Sequence, residues 1–233
     1  MGEIARAYER THPAVRVDVQ TGGSSRGIAD TRKGLAHIGM VSRGPKAGEQ
    51  DDLDWWPVAG DGICIIVHAS NPVAELSREQ VVDIYRGKIV NWKEVGGADQ
   101  LISVVNKAEG RSTLEVFLKH FRLKNSEIKA SVVIGDNQQG IKTIAGNPGA
   151  IGYVSVGAAE YEAGQKMPIR LLPFEGVKPS MESVADGSFP ISRVLHVVSR
   201  GEVTGELKKF IEFTRSSEVH GLVREQFFVP LGD

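Results

Sequence analysis

Apolar positions along this chain recur in two rhythms, and the alternation of the two sets the expected architecture. Alternating positions predict strands at Val15-Arg16-Val17-Asp18-Val19 and at Leu101-Ile102-Ser103-Val104-Val105. Continuous apolar runs predict further strand character at 37–43, 55–58, 61–68, 131–134, 150–154, 169–172 and 193–199. Helical spacing appears at 3–9, where Ile4, Ala7 and Tyr8 share a face and His12-Pro13 ends the run. It appears again at 26–33, stopping at Gly34, and at 112–121, where Leu114, Phe117, Leu118 and Phe121 form one stripe. Ser77-Arg78-Glu79-Gln80 reads as a capping box opening a helix that runs through Val81, Val82, Ile84 and Tyr85 to Gly87. A short helix is expected at 141–145, a final helix at about 205–214, and another helical piece after Ser217. Strands alternating with helices predict an α/β protein with mainly parallel sheets.

Two polar segments interrupt this pattern at equivalent places. Thr21-Gly22-Gly23-Ser24-Ser25-Arg26-Gly27-Ile28 and Asn106-Lys107-Ala108-Glu109-Gly110-Arg111-Ser112-Thr113-Leu114-Glu115 each follow an alternating run and precede a helix. A glycine- and serine-rich turn from strand into helix leaves backbone N–H groups unpaired at the positive end of the helix dipole. Two such turns far apart in sequence point to a tetrahedral anion held between two lobes.

Composition narrows the reading mainly by exclusion. With 233 residues, 41% hydrophobic and 24% charged, this is an ordinary globular composition, long enough for one large domain or two small ones. A net charge of −1 gives no bulk electrostatic case for nucleic acid or membrane binding. The opening Met1-Gly2-Glu3-Ile4-Ala5-Arg6 has neither the apolar core nor the cleavage site of a signal peptide. The single cysteine, Cys64, rules out an internal disulfide and reads as a buried core thiol. The six histidines are scattered without metal-ligand spacing, and no nucleophile elbow, P-loop or dinucleotide fingerprint occurs. No enzyme, catalytic residue, metal or cofactor is therefore expected.

Five stretches, taken in order, resemble the phosphate-binding, substrate-capturing proteins of bacterial ABC transporters, within the periplasmic binding protein fold. They are 22–28, 38–43, Ile84-Tyr85-Arg86-Gly87-Lys88-Ile89-Val90-Asn91-Trp92-Lys93-Glu94-Val95-Gly96-Gly97, 106–117, and Gly149-Ala150-Ile151-Gly152-Tyr153. The segment from Tyr85 to Trp92 is the most specific, and Phe189-Pro190-Ile191-Ser192-Arg193 is similar to the family's return segment. The resemblance implies a two-lobed α/β fold, each lobe a mainly parallel sheet flanked by helices, with the family's first strand and its loop expected to be absent here. The expected lobes are 1–66 plus 193–233, and 67–192. The implied function is capture of inorganic phosphate in an interlobe cleft, by hinge closure, and delivery to the membrane subunits of an ABC permease. A periplasmic or cell-surface-anchored monomer is implied. The alternative is an oxyanion sensor or interaction module on the same fold.

The chain departs from the family's pattern in two places. Many members carry an aspartate shortly after the glycine equivalent to Gly39, which accepts a proton from hydrogen phosphate; here Val41-Ser42-Arg43 stands there. The second cradle of the family reads Arg-x-x-Gly-Ser-Gly-Thr, against Lys107-Ala108-Glu109-Gly110-Arg111-Ser112-Thr113 here, so that only Thr113 of the functional positions outside Gly110 is kept. The expected phosphate-binding residues are Ser24, Ser25, Ser42, Lys107, Arg111, Ser112 and Thr113. Hydroxyl and N–H donors cost less to bury than extra charges, and Lys107 or Arg111 adds a cation. Gly23 and Gly110 allow close backbone approach, while Arg43, Asn137 and Gln138 are further cleft candidates. Plain alternatives stand beside these: Ser24 and Ser25 as helix caps, Arg111 as a surface residue, Arg43 paired with an acidic neighbour, and Trp92 and Tyr153 as packing residues. Without the aspartate, weak discrimination of phosphate from sulfate is expected.

Overall fold

The computed structural model describes residues 1–231, and the chain divides into two units, Met1–Gly60 with Val194–Asp233, and Asp61–Arg193. In chain order the first unit holds α1 (Gly2–Thr11), α2 (Ser24–Arg32), β1 (Ile38–Val41) and the start of β2 (Asp54–His68). The division falls inside β2. The second unit continues with α3 (Arg78–Tyr85), β3 (Ser103–Lys107), α4 (Ser112–Phe121), β4 (Val132–Ile134), α5 (Asn137–Ala145), β5 (Ala150–Ser155), α6 (Val156–Gly164), β6 (Ile169–Leu171) and α7 (Met181–Ala185). The chain returns through β7 (Ser192–Ser199) to α8 (Gly205–Phe213), α9 (His220–Glu225) and β8 (Val229–Pro230). Among the described residues no helix is long and apolar enough to cross a membrane.

The sheet pairings are mixed. In the first unit β1 runs antiparallel to β7, with Ile38 opposite Ser199, and β8 pairs antiparallel with the start of β2. In the second unit the end of β2 pairs antiparallel with β5 and β6, while β3 is parallel to both β5 and β4. The α/β class stands, but the mainly parallel pairing expected from helix–strand alternation is corrected. β2 takes antiparallel partners, and alternation in sequence does not report strand direction.

Several element boundaries also move. β2 runs unbroken through Ala59 and Gly60, where a strand break was expected, because both residues pair with β8. Residues 15–19 are not a strand. Val15, Val17 and Val19 pack against the first unit's core, but the segment joins no ladder among the described residues, and the Val17 N–H donates to the Glu9 carboxylate at 2.7 Å. Two helices, α6 and α7, form where no helical element was expected. α7 sits in a proline- and glycine-punctuated stretch, and the Ser180 hydroxyl caps it by accepting from the Ser183 N–H.

Each unit has its own core. In the first, Ile4, Ala5 and Tyr8 of α1 meet Ala59, Phe210, Val219 and Val223, and the Tyr8 ring lies edge-on to Phe210 at 5.2 Å. In the second, Phe117 of α4 stacks on Tyr153 of β5 at 3.9 Å, and Tyr85 of α3 lies 4.7 Å from Phe117. The most specific motif of the sequence, at 84–92, thus delivers core: Tyr85 and Trp92 are fully buried, and the Trp92 indole donates to the Gly149 carbonyl at 2.9 Å. Cys64 is completely buried, and burial pushes its thiol pKa well up, as expected of a core thiol.

The geometry of the first cradle depends on a glycine contact. A Cβ on Gly39 of β1 would lie 2.5 Å from the Gly27 carbonyl oxygen and 2.7 Å from the Thr31 hydroxyl of α2. The helix can therefore lie close against the strand, which aligns its first turn with the end of β1. Gly39→Ala is expected to force backbone apart and destabilise the chain by about 1–3 kcal/mol, read from urea unfolding. Stability equal to wild type would show that α2 shifts without cost.

Candidate functional site

The first cradle forms one donor set within the first unit. α2 starts at Ser24, two residues earlier than its apolar pattern indicated, so Ser24 and Ser25 occupy the first turn rather than the cap. The cap is Gly23, whose φ of 85° lies in the left-handed region that glycine adopts without strain. Ser24 is buried, and its hydroxyl accepts from the Ser42 N–H at 2.9 Å, joining the helix start to the loop after β1. Ser25 is exposed at the helix N-terminus. Arg43 is directed elsewhere: its guanidinium grips Glu49 in a two-pronged pair of 2.6 and 2.9 Å and donates to the Gly44 carbonyl at 3.0 Å. That bond holds the Glu49 carboxyl below the usual range. Arg43 therefore builds the 43–49 loop, in line with the acidic-neighbour alternative.

The second cradle, in the second unit, concentrates charge. Lys107 ends β3 with 2% of its surface exposed, and its Nζ donates to the Asn137 side-chain oxygen at 3.1 Å. Burial lowers its pKa to about 7, with the Asp136 carboxylate opposing the shift and the Arg193 and Arg111 cations adding to it. The Tyr153 hydroxyl accepts from the Lys107 N–H at 3.3 Å and donates to the Asn106 side chain at 2.6 Å, so the end of β3 is pinned to β5. Tyr153 is thus both a packing residue, as one reading of the sequence had it, and an anchor for the lysine's backbone.

Ser112 and Thr113 open α4 and are both buried, while Gly110, with φ 80°, and the exposed N-cap Arg111 form the turn before them. The N-terminal end of the helix dipole favours an anion here. Asn137 lies in the first turn of α5, capped by Asp136, and reaches Lys107. Gln138 points away and donates to Glu162 of α6 at 2.9 Å. The structure therefore brings Lys107, Asn137 and the start of α4 into one constellation and leaves Gln138 outside it.

Two residues of this constellation were not selected from sequence. Arg193, in β7, donates through Nε and Nη2 to Asp61 Oδ2 at 2.9 and 2.6 Å, and through Nη1 to the Thr113 hydroxyl at 3.2 Å. Asp61 is fully buried and also accepts from the Ser155 hydroxyl at 2.7 Å. The signal for Asp61 was present: a lone carboxylate between Gly60 and Gly62 inside an apolar strand demands a buried partner. Nothing local identified Arg193 as that partner, 132 residues away.

Comparisons with known proteins identify the family. The family model of the PBP superfamily domain matches residues 1–218. The phosphate-binding protein PstS of Bacillus subtilis is 31% identical over 235 residues, covering 98% of this chain and 76% of that protein. A Clostridium perfringens structure described as a phosphate ABC transporter substrate-binding protein with bound phosphate is 32% identical. It superposes with a TM-score of 0.88 over 99% of this chain and 94% of that one. An ABC-type phosphate transport receptor from Vibrio cholerae gives 31% identity and a TM-score of 0.85 over 98% and 94% of the two chains.

Burial of Lys107 makes its stability contribution pH-dependent. Between pH about 7 and the unfolded value near 10.5 the unfolded chain holds the proton and the folded chain does not, so this group's contribution to stability rises with pH. Below pH 7 both states are charged and the full burial penalty applies. Ligand-free Lys107→Met is therefore expected to gain stability relative to wild type at pH 6, with the gain shrinking by up to about 1.4 kcal/mol per pH unit above 7. Urea unfolding at pH 6 and 9 checks this; a difference independent of pH would show that Lys107 does not titrate in that window.

Proposed function

The chain belongs to the PBP superfamily, within the family of phosphate-binding proteins of ABC transporters, and from that premise we propose that it captures inorganic phosphate and hands it to an ABC permease. The observation that carries this reading is the start of α4. There a buried lysine, two buried hydroxyls and a helix N-terminus without a side-chain cap lie together, and the fully buried carboxylate of Asp61 is bonded to Arg193 and Ser155. Such a set favours a compact, highly charged oxyanion.

The proposed contacts are Ser24, Ser25 and Ser42 in the first unit and Lys107, Arg111, Ser112 and Thr113 in the second. The first set supplies neutral donors, and the second adds cationic ones. Gly23 and Gly110 give the backbone access to the anion, and Asn137 orients Lys107. The protein acts outside the cytoplasmic membrane, as a monomer, by binding and release without covalent chemistry. Support for the location and for the permease as partner comes from the relatives named above. Asp61 is committed to Arg193 and Ser155, and Val41-Ser42-Arg43 places no aspartate in the loop after β1, so sulfate is expected to compete.

Titration calorimetry of the extensively dialysed protein with phosphate, then with sulfate, tests the reading. Submillimolar phosphate binding is expected, with sulfate weaker by less than about 100-fold, that is, by less than about 2.7 kcal/mol. Ser25→Ala and Lys107→Met should each weaken phosphate by roughly 10- to 100-fold, the range for hydrogen bonds to charged groups. A folded protein giving no heat with phosphate overturns the proposal.

A further inference from the structure

We infer that Arg193, clamped by Asp61, is a positioning residue of the phosphate site, and that it fixes the Thr113 hydroxyl as a donor to the anion. This rests on the phosphate reading above. A threonine hydroxyl has one proton to give and lone pairs to receive. Here Arg193 Nη1 donates to the Thr113 oxygen at 3.2 Å, so the lone pair facing the arginine is engaged. No protein acceptor takes the Thr113 proton among the described residues, although the residue is only 8% exposed at the N-terminal end of a ten-residue helix. A buried O–H without an acceptor costs free energy unless a ligand supplies one. An oxyanion does so, and it draws the helix N–H groups to the same place.

The arginine cannot rotate away from this duty. Asp61 Oδ2 takes both Nε and Nη2, at 2.9 and 2.6 Å, and Asp61 is itself anchored by the Ser155 hydroxyl at 2.7 Å. The planar fork then dictates where Nη1 points. A hydrogen bond from a cation also polarises the hydroxyl and strengthens its donation to an anion. Arg193 adds to the positive potential felt at Lys107, as Arg111 does, so the three cations reinforce one another around a point that an anion neutralises. Asp61 opens the second unit on β2 and Arg193 closes it on β7, so the two ends of that unit's chain are tied together by the pair that reaches Thr113, Arg193 directly and Asp61 through it.

The test is a set of phosphate titrations on the folded chain, with thermal melts recorded for every variant. Thr113→Val is expected to weaken phosphate by about 10- to 100-fold, and Thr113→Ser to restore most of it. The paired variant Asp61→Asn with Arg193→Gln removes both buried charges together and avoids stranding one. It is expected to weaken phosphate by a similar factor, and Thr113→Val on that background should cost less than about threefold more, since the donor is already unfixed. Should the paired variant not fold, Arg193→Lys serves instead: it keeps the charge opposite Asp61 but lacks the fork to Thr113, and it too should weaken phosphate. A purely structural role predicts lower melting temperatures with affinity within about twofold of wild type, or a Thr113→Val loss that is equal on both backgrounds. Either result overturns the inference. A wild type that ignores phosphate but binds sulfate sinks the phosphate reading alone, and the same comparisons then judge Arg193 with sulfate. A folded wild type that binds neither anion overturns both.

Discussion

The buried pair of Asp61 and Arg193 is the constraint on which the second unit's chemistry depends. Moving a carboxylate and a guanidinium out of water is expensive, and their attraction offsets this only when geometry is good and the remaining polar atoms are satisfied. Both conditions are met. The carboxylate receives two N–H groups from one arginine and a hydroxyl from Ser155, and the arginine's third nitrogen reaches Thr113. Removing either partner would strand a charge in a fully buried place, so the pair explains why β2 carries an aspartate inside an otherwise apolar stretch. It also links that strand, through one arginine, to the first turn of α4 at Thr113.

Around this pair the site uses two different sources of positive potential. Arg193 is held rigidly by the carboxylate of Asp61. Lys107 is buried to the point where its proton is only loosely held near neutrality, with Arg193 and Arg111 contributing after desolvation. A negative charge beside Lys107 would act in the same sense as the Asp136 carboxylate and favour the protonated amine. Neutral donors complete the set, since a hydroxyl or an N–H can be buried with far less desolvation than a further cation. In the first unit the buried Arg43 pairs with Glu49, and that pair gives the 43–49 loop its shape.

Positioning in the first unit comes from the absence of side chains. Gly27 and Gly39 bring α2 against β1 at a separation no Cβ would permit, and the Ser24 hydroxyl then meets the Ser42 N–H. Backbone contact thus sets the position of Ser24 to within a hydrogen bond. The same logic places Lys107: its own N–H is held by the Tyr153 hydroxyl, and the Tyr153 ring is held by its stack on Phe117. Core packing and donor placement are in this way the same set of contacts.

Much of this was legible in the sequence where the determinants are local. The capping box at Ser77, the apolar stripe of 112–121 and the turn before it depend on residues three or four apart, and α4 forms over the residues its pattern marked. The family likeness likewise rests on short contiguous motifs. What the sequence left open depends on partners distant along the chain. Residues 15–19 alternate like a strand but find no neighbouring strand, while Ala59 and Gly60 look like a break yet are paired by residues some 170 positions later. Strand direction, the commitment of Arg43 to Glu49 and the turning of Gln138 toward Glu162 belong to the same class. So does Arg193: its type was visible, but its role is set by Asp61 and Thr113, which only the folded chain brings within 3.2 Å. Local hydrogen bonding and periodicity act between near neighbours and can be read along the chain; desolvated charge pairs and sheet ladders are satisfied only by tertiary structure.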